Sequence, residues 1–127
     1  MQVNALDHVN IRSRDIAASA RFYAELLDLE VRNAPAPMTP EQALWICDRQ
    51  GRAIIHLVQH NNEKGAPGPT GPIDHIALNC TGKRELIERL KQRGLECGVF
   101  DMPDGSRTLI FTRDPHGVSL ELNFDGD

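Results

Sequence analysis

Four residues of this chain have side chains suited to holding a metal ion or moving a proton: His8, His56, His75 and Glu121. Imidazole nitrogen and carboxylate oxygen are donors that divalent transition ions accept, and both groups exchange protons within reach of neutral pH. Each of the four lies in a short run of alternating polar and apolar residues, the pattern of a half-buried strand, so parity sorts the faces. Val9 and Ile11 oppose His8, Asn10 and Arg12; Ile76 and Leu78 oppose His75, Ala77 and Asn79. Ile55 and Leu57 oppose His56, and Leu120, Leu122 and Phe124 oppose Ser119, Glu121 and Asn123. A single mid-strand histidine is commonly an ordinary structural residue. Four such groups on polar faces, if the strands meet around one cleft, form a set that one cation would satisfy. Two imidazoles and a carboxylate with open positions match the facial arrangement of divalent iron, and mixed nitrogen and oxygen sets also suit manganese, cobalt or nickel. None of the three cysteines joins the set, so a structural zinc knot is not expected. The cofactor implied is one divalent ion, drawn from iron, manganese, nickel, cobalt and zinc.

An internal repeat supplies the elements that would position these residues. Leu6-Asp7-His8-Val9-Asn10-Ile11 matches Ile73-Asp74-His75-Ile76-Ala77-Leu78, and the segments that follow keep the same order. Residues 15–27 carry Ile16, Ala20, Tyr23 and Leu27 on one helical stripe, with Asp15 as N-cap. The counterpart runs from about 82 to 93 with Leu86, Ile87 and Leu90 on one stripe, Thr81 as a capping candidate and Gly94 at the end. Strand openings follow at Leu29-Glu30-Val31 and Leu95-Glu96-Cys97. Each half closes on two further strands, 42–48 with 53–59 and 107–113 with 118–124, joined by Arg49-Gln50-Gly51-Arg52 and Asp114-Pro115-His116-Gly117. The reading is α+β: paired βαβββ modules forming a curved mixed sheet around a metal-binding cleft. Module one covers about 1–60, a Pro/Gly-rich linker about 61–72, and module two about 73–127. A second irregular stretch, 34–40, reads as a loop near the cleft.

Composition narrows the partners. The 127 residues suffice for one compact domain, and 40% hydrophobic with 25% charged residues is ordinary for a globular protein. A net charge of −4 without any basic run argues against nucleic acid and acidic membranes. No apolar stretch approaches the roughly 20 residues of a membrane span, and the opening MQVNALDHV lacks the pattern of a signal peptide. A cytoplasmic protein is expected, with Cys47, Cys80 and Cys97 as buried thiols in strands, and His60 and His116 as exposed residues without a role.

LDHVNI, SARFYAELLDLEV, IDHIALN and GSRTLIFTRDPHGVSLEL together resemble the vicinal-oxygen-chelate superfamily: glyoxalase I, extradiol ring-cleavage dioxygenases, methylmalonyl-CoA epimerase, and the fosfomycin and bleomycin resistance proteins. The last stretch is the most distinctive, since DPxG before a strand carrying Glu closes the family's pattern. The resemblance covers nearly the whole chain and implies His8, His75 and Glu121 as metal ligands. His56 falls where glyoxalase I has Glu and the epimerase Gln; it retains a nitrogen donor and removes a carboxylate, which leaves ligand and substrate-contacting roles open. Phe111 stands where extradiol dioxygenases and fosfomycin-resistance transferases carry a tyrosine. The implied function is a metal-dependent glyoxalase-like lyase or isomerase, chelating a small oxygenated substrate through two neighbouring oxygens. Glu121 and His56 would be its proton-handling residues, and Arg12, Asn10 and Phe111 its substrate contacts. The alternatives are extradiol-type dioxygenase activity and non-catalytic sequestration of an antibiotic or other small ligand. Short members of this superfamily usually dimerise, so a homodimer is expected.

Overall fold

The computed structural model describes residues 1–126, in two compact units that part between Ala66 and Pro67. The first holds strand β1 (Val9–Ser13), helix α1 (Ile16–Leu27), and strands β2 (Glu30–Asn33), β3 (Ala43–Cys47) and β4 (Ala53–Gln59). The second holds β5 (Ile76–Cys80), α2 (Lys83–Gln92), β6 (Gly98–Asp101), β7 (Arg107–Arg113) and β8 (Ser119–Asp125). Each unit is a βαβββ module with its own four-stranded mixed sheet, in the orders β1-β4-β3-β2 and β5-β8-β7-β6. The first strand of each module runs parallel to its last, and the other pairs are antiparallel.

The helix of module one forms where the apolar stripe predicts it. Asp15 Oδ1 accepts from the Ala18 amide at 3.0 Å, and Ile16, Ala20, Tyr23 and Leu26 are buried, with Leu26 rather than Leu27 facing the sheet. The chain leaves the helix through Asp28 at φ 54°, and the Leu29 amide bonds back to the Tyr23 carbonyl. Helix α2 differs from expectation at its start: Gly82 is the N-cap, at φ 88°, with no side-chain cap from Thr81. Lys83 Nζ instead donates to Thr108 Oγ1 at 3.1 Å, which ties the helix to β7. Leu86 and Leu90 are buried and Ile87 only half-buried.

Two strand openings lie later than the sequence suggests. Residues 95–97 are irregular, with the Leu95 amide bonded back to the Leu90 carbonyl of α2 at 3.0 Å, and β6 begins only at Gly98. Likewise β2 begins at Glu30. Both closing hairpins use an aspartate at the same place. Asp48 Oδ1 accepts from the amides of Gln50 and Arg52, and Asp114 Oδ1 from those of His116 and Val118. The second turn places Gly117 at φ 85°, where a Cβ would stand 3.0 Å from the Gly68 carbonyl oxygen. His116 is buried in this turn, not exposed, because its carbonyl accepts from the Gly68 amide and the Asp114 side chain pulls the turn inward.

Of the apolar rows predicted by parity, Ile11, Ile55 and Leu57 are buried in module one beside Ile46, and Leu120, Leu122 and Phe124 in module two beside Ile110, while Val9, Ile76 and Leu78 are half-buried. Cys47 is buried and Cys80 half-buried, but Cys97 lies outside any strand and is exposed. No helix among the described residues is long and apolar enough to cross a membrane.

Candidate functional site

In module one, the sheet register sets Asn10, His56, Trp45 and Arg32 side by side across β1, β4, β3 and β2. His56 is sandwiched in this row. Its ring stacks on Trp45 with centroids 4.3 Å apart and on His8 with centroids 3.7 Å apart. Partial burial lowers the His56 pKa, and the neighbouring His8 adds to the effect, so the imidazole is neutral at pH 7. His8 Nδ1 donates to Asp7 Oδ2 at 2.6 Å, which leaves Nε2 as the nitrogen available to a ligand or ion, and the same contact lowers the Asp7 pKa. Arg12, two residues beyond Asn10 on the same face, is exposed and has no ion-pair partner among the described residues.

Module two repeats the row with different side chains. Ala77, Glu121, Phe111 and Gly98 stand side by side across β5, β8, β7 and β6. Glu121 thus occupies the place of His56, and Phe111 that of Trp45. His75 Nδ1 donates to Asp74 Oδ2 at 2.8 Å, repeating the Asp7–His8 contact, while its Nε2 meets Glu121 Oε2 at 3.0 Å. The Asp74 bond raises the His75 pKa against the opposing effect of desolvation, and Glu121 contributes in the same direction. His75 therefore sits between two carboxylates that favour its protonated form, a geometry in which a cation could replace the Nε2 proton. Beside it opens a depression of about 810 Å³, lined among others by His75, Leu95, Gly98, Phe111 and Arg113.

Each module thus brings two of the four predicted residues together: His8 with His56, and His75 with Glu121. Among the described residues no group of three or more His, Cys, Asp or Glu side chains is gathered as a metal cage. Asn10 is exposed beside His56, and Phe111 is 39% exposed beside Glu121. Sequence reasoning assigned no role to Asp7 and Asp74. Their signal was present in the repeated Asp-His dipeptide, which carries the same hydrogen bond in both modules.

The family model of the Glyoxalase/Bleomycin resistance protein/Dioxygenase superfamily matches residues 5–122. The chain belongs to this superfamily. No curated protein matches it in sequence. Its fold is shared with solved members that are distant in sequence. A glyoxalase/dioxygenase from Nostoc punctiforme is 17% identical, with TM-score 0.77 over 97% of this chain and 92% of that one. A glyoxylase/bleomycin resistance protein/dioxygenase domain from Frankia sp. EAN1pec is 21% identical, with TM-score 0.77 over 99% and 95%. Lactoylglutathione lyase from Agrobacterium tumefaciens is 19% identical, with TM-score 0.68 over 98% and 96%. The glyoxalase superfamily generally uses a divalent metal. The donors in this member fit such an ion chemically: in each module an imidazole whose Nδ1 is held by a carboxylate, and in module two a glutamate 3.0 Å from the His75 Nε2.

Proposed function

We propose that this protein is a metal-dependent glyoxalase-like lyase or isomerase for a small oxygenated organic substrate. One divalent ion would be held by His8, His75 and Glu121, with His56 as a fourth donor or a substrate-facing base. The observation that carries the reading is the duplication of the half-site. Each module sets an aspartate-anchored histidine against a second donor residue, His8 stacked on His56 in one and His75 Nε2 at 3.0 Å from Glu121 in the other. The modules that complete the set belong to one chain or to two chains of a homodimer.

A bound ion supplies Lewis acidity toward two adjacent substrate oxygens. The chain's own residues do the rest. His56, kept neutral by burial, is competent to take a proton from the substrate, and the Glu121 carboxylate is the second proton acceptor. Phe111 gives the substrate an apolar wall, and Asn10 and Arg12 present a hydrogen-bonding amide and a cation on the face of His8. Phe111 has no hydroxyl to donate to a bound catecholate, which favours proton transfer over ring cleavage.

The test is calorimetric titration with nickel, manganese and ferrous ions on the wild type and Glu121→Ala. The reading expects one site per protomer in the wild type and a loss of at least about tenfold in the variant. Equal binding by both would remove the site. Incubation of the iron-loaded protein with oxygen and catechols separates the enzyme classes, since oxygen uptake with a yellow product would replace the lyase reading by a dioxygenase one. Sedimentation with and without metal reads the homodimer.

A further inference from the structure

Strand β7 carries arginines at both ends of the face that also bears Phe111, and they differ in one respect. Arg107 is committed: its guanidinium pairs with Asp125, which also accepts from Asn79. Arg113 is exposed, and among the described residues it has no ion-pair or side-chain hydrogen-bond partner. It lines the same depression as His75.

The sheet register fixes its place. Arg113 faces Ser119 across β7 and β8. His75 immediately precedes Ile76, whose partner is Leu120, so it stands on the other side of Ser119. A row His75, Ser119, Arg113 results, with the cation two strand spacings from the histidine, about 10 Å at the backbone. The wall is mixed: Leu95 and Phe111 give it an apolar part, and Glu96, Thr112 and Ser119 a polar one. A cavity of about 810 Å³ has room for a small organic ligand.

We propose that the ligand taken here is an apolar carboxylate, its body against Phe111 and Leu95 and its carboxylate in the fork of Arg113. The inference rests on the reading that the face of His75 and Glu121 binds substrate, and it names the substrate's class. A guanidinium offers two parallel N–H donors that match a carboxylate, and next to the apolar part of the wall this bond is less screened than one in open water. The competing partner is Glu96, which also lines the depression. The two side chains do not pair, and an exposed cross-strand pair would be worth little. The other carboxylate at the rim, Asp74, is engaged by His75.

The experiment uses full-length protein kept metal-free with chelator, and the probe pair 3-phenylpropionate and 3-phenylpropanamide, which share an apolar body and differ in charge. Wild type is expected to bind the carboxylate about tenfold more tightly than the amide. Arg113→Gln should abolish that preference while leaving amide binding unchanged, and Arg113→Lys should keep part of it, since charge survives and the fork does not. Circular dichroism confirms that both variants fold. Equal affinity of wild type for the two probes, no saturable binding of either, or a preference that survives Arg113→Gln would overturn the inference. Nickel titration of the same proteins after the chelator is dialysed away reads the metal site separately: lost nickel binding with intact carboxylate preference contradicts the proposed enzyme alone, and the reverse contradicts this subsite alone.

Discussion

Removing the aspartate behind each histidine should weaken metal binding without touching a ligand. Asp7 and Asp74 hold the Nδ1 atoms of His8 and His75 at 2.6 and 2.8 Å, which fixes ring orientation and leaves Nε2 as the donor for an ion. Loss of such a partner typically lowers metal affinity by about 10- to 100-fold. Both carboxylates are highly exposed, 92% and 93% by side chain, so water and salt screen their charge and the lower end applies. Asp74→Ala and Asp7→Ala are each expected to raise the nickel dissociation constant about tenfold. The two histidines are proposed to share one ion, so the effects are coupled, and the double variant should lose more than either single variant. Asp74→Asn retains an acceptor for the Nδ1 proton and should fall between wild type and Ala. Isothermal titration with nickel at neutral pH measures this, with thermal melts to show that folding is intact. A change below about twofold in both single alanine variants, beside the tenfold or more expected, would refute the orienting role.

Metal affinity should rise with pH. The His75 pKa is raised by Asp74, so its Nε2 proton competes with a cation up to a higher pH than the usual histidine value of about 6.5, and binding should release protons measurable from the buffer dependence of the heat; pH-independent binding from 6 to 8, roughly the span about that value, would contradict it. Thiol chemistry should separate the cysteines. Cys97 is exposed and should react quickly with an aromatic disulfide reagent, whereas burial raises the Cys47 and Cys80 thiols and both should react only after denaturation; three equally fast thiols would contradict the fold at β3 and β5. Gly117→Ala should destabilise module two by about 1–2 kcal/mol in a denaturant melt, since it forces a Cβ at φ 85° toward the Gly68 carbonyl; an unchanged midpoint would contradict the turn.

Parity made much of this legible in the sequence. Alternation in the strands of His8, His56, His75 and Glu121 separated core from polar face, and the register bears out those faces. The Asp-His repeat marked corresponding strands of two modules, and the family model spans both. What parity could not supply was cross-strand neighbourhood. That Trp45 stacks on His56, and that Phe111 lies beside Glu121, follows from strand register, which in module one includes a shift between Ile46 and Cys47 that module two lacks. The misplacement of β6 has a local cause. Leu95 reads as a strand residue, yet its amide is taken by the last turn of α2, and Cys97 is carried outside the sheet with it. Thr81 failed as a cap because Gly82, at φ 88°, turns the chain into the helix itself. His116 was read as a surface turn residue, but the carboxylate of Asp114 gathers the turn amides and buries it.

The most direct measurement of the central claim is X-ray absorption spectroscopy of the cobalt- or nickel-loaded protein, comparing wild type with His8→Ala, His75→Ala and Glu121→Ala. The account predicts a nitrogen and oxygen shell with imidazole scattering in wild type, one imidazole fewer in each histidine variant, and imidazole scattering retained with weaker binding in Glu121→Ala. An ion that keeps its full imidazole shell in both histidine variants would contradict it.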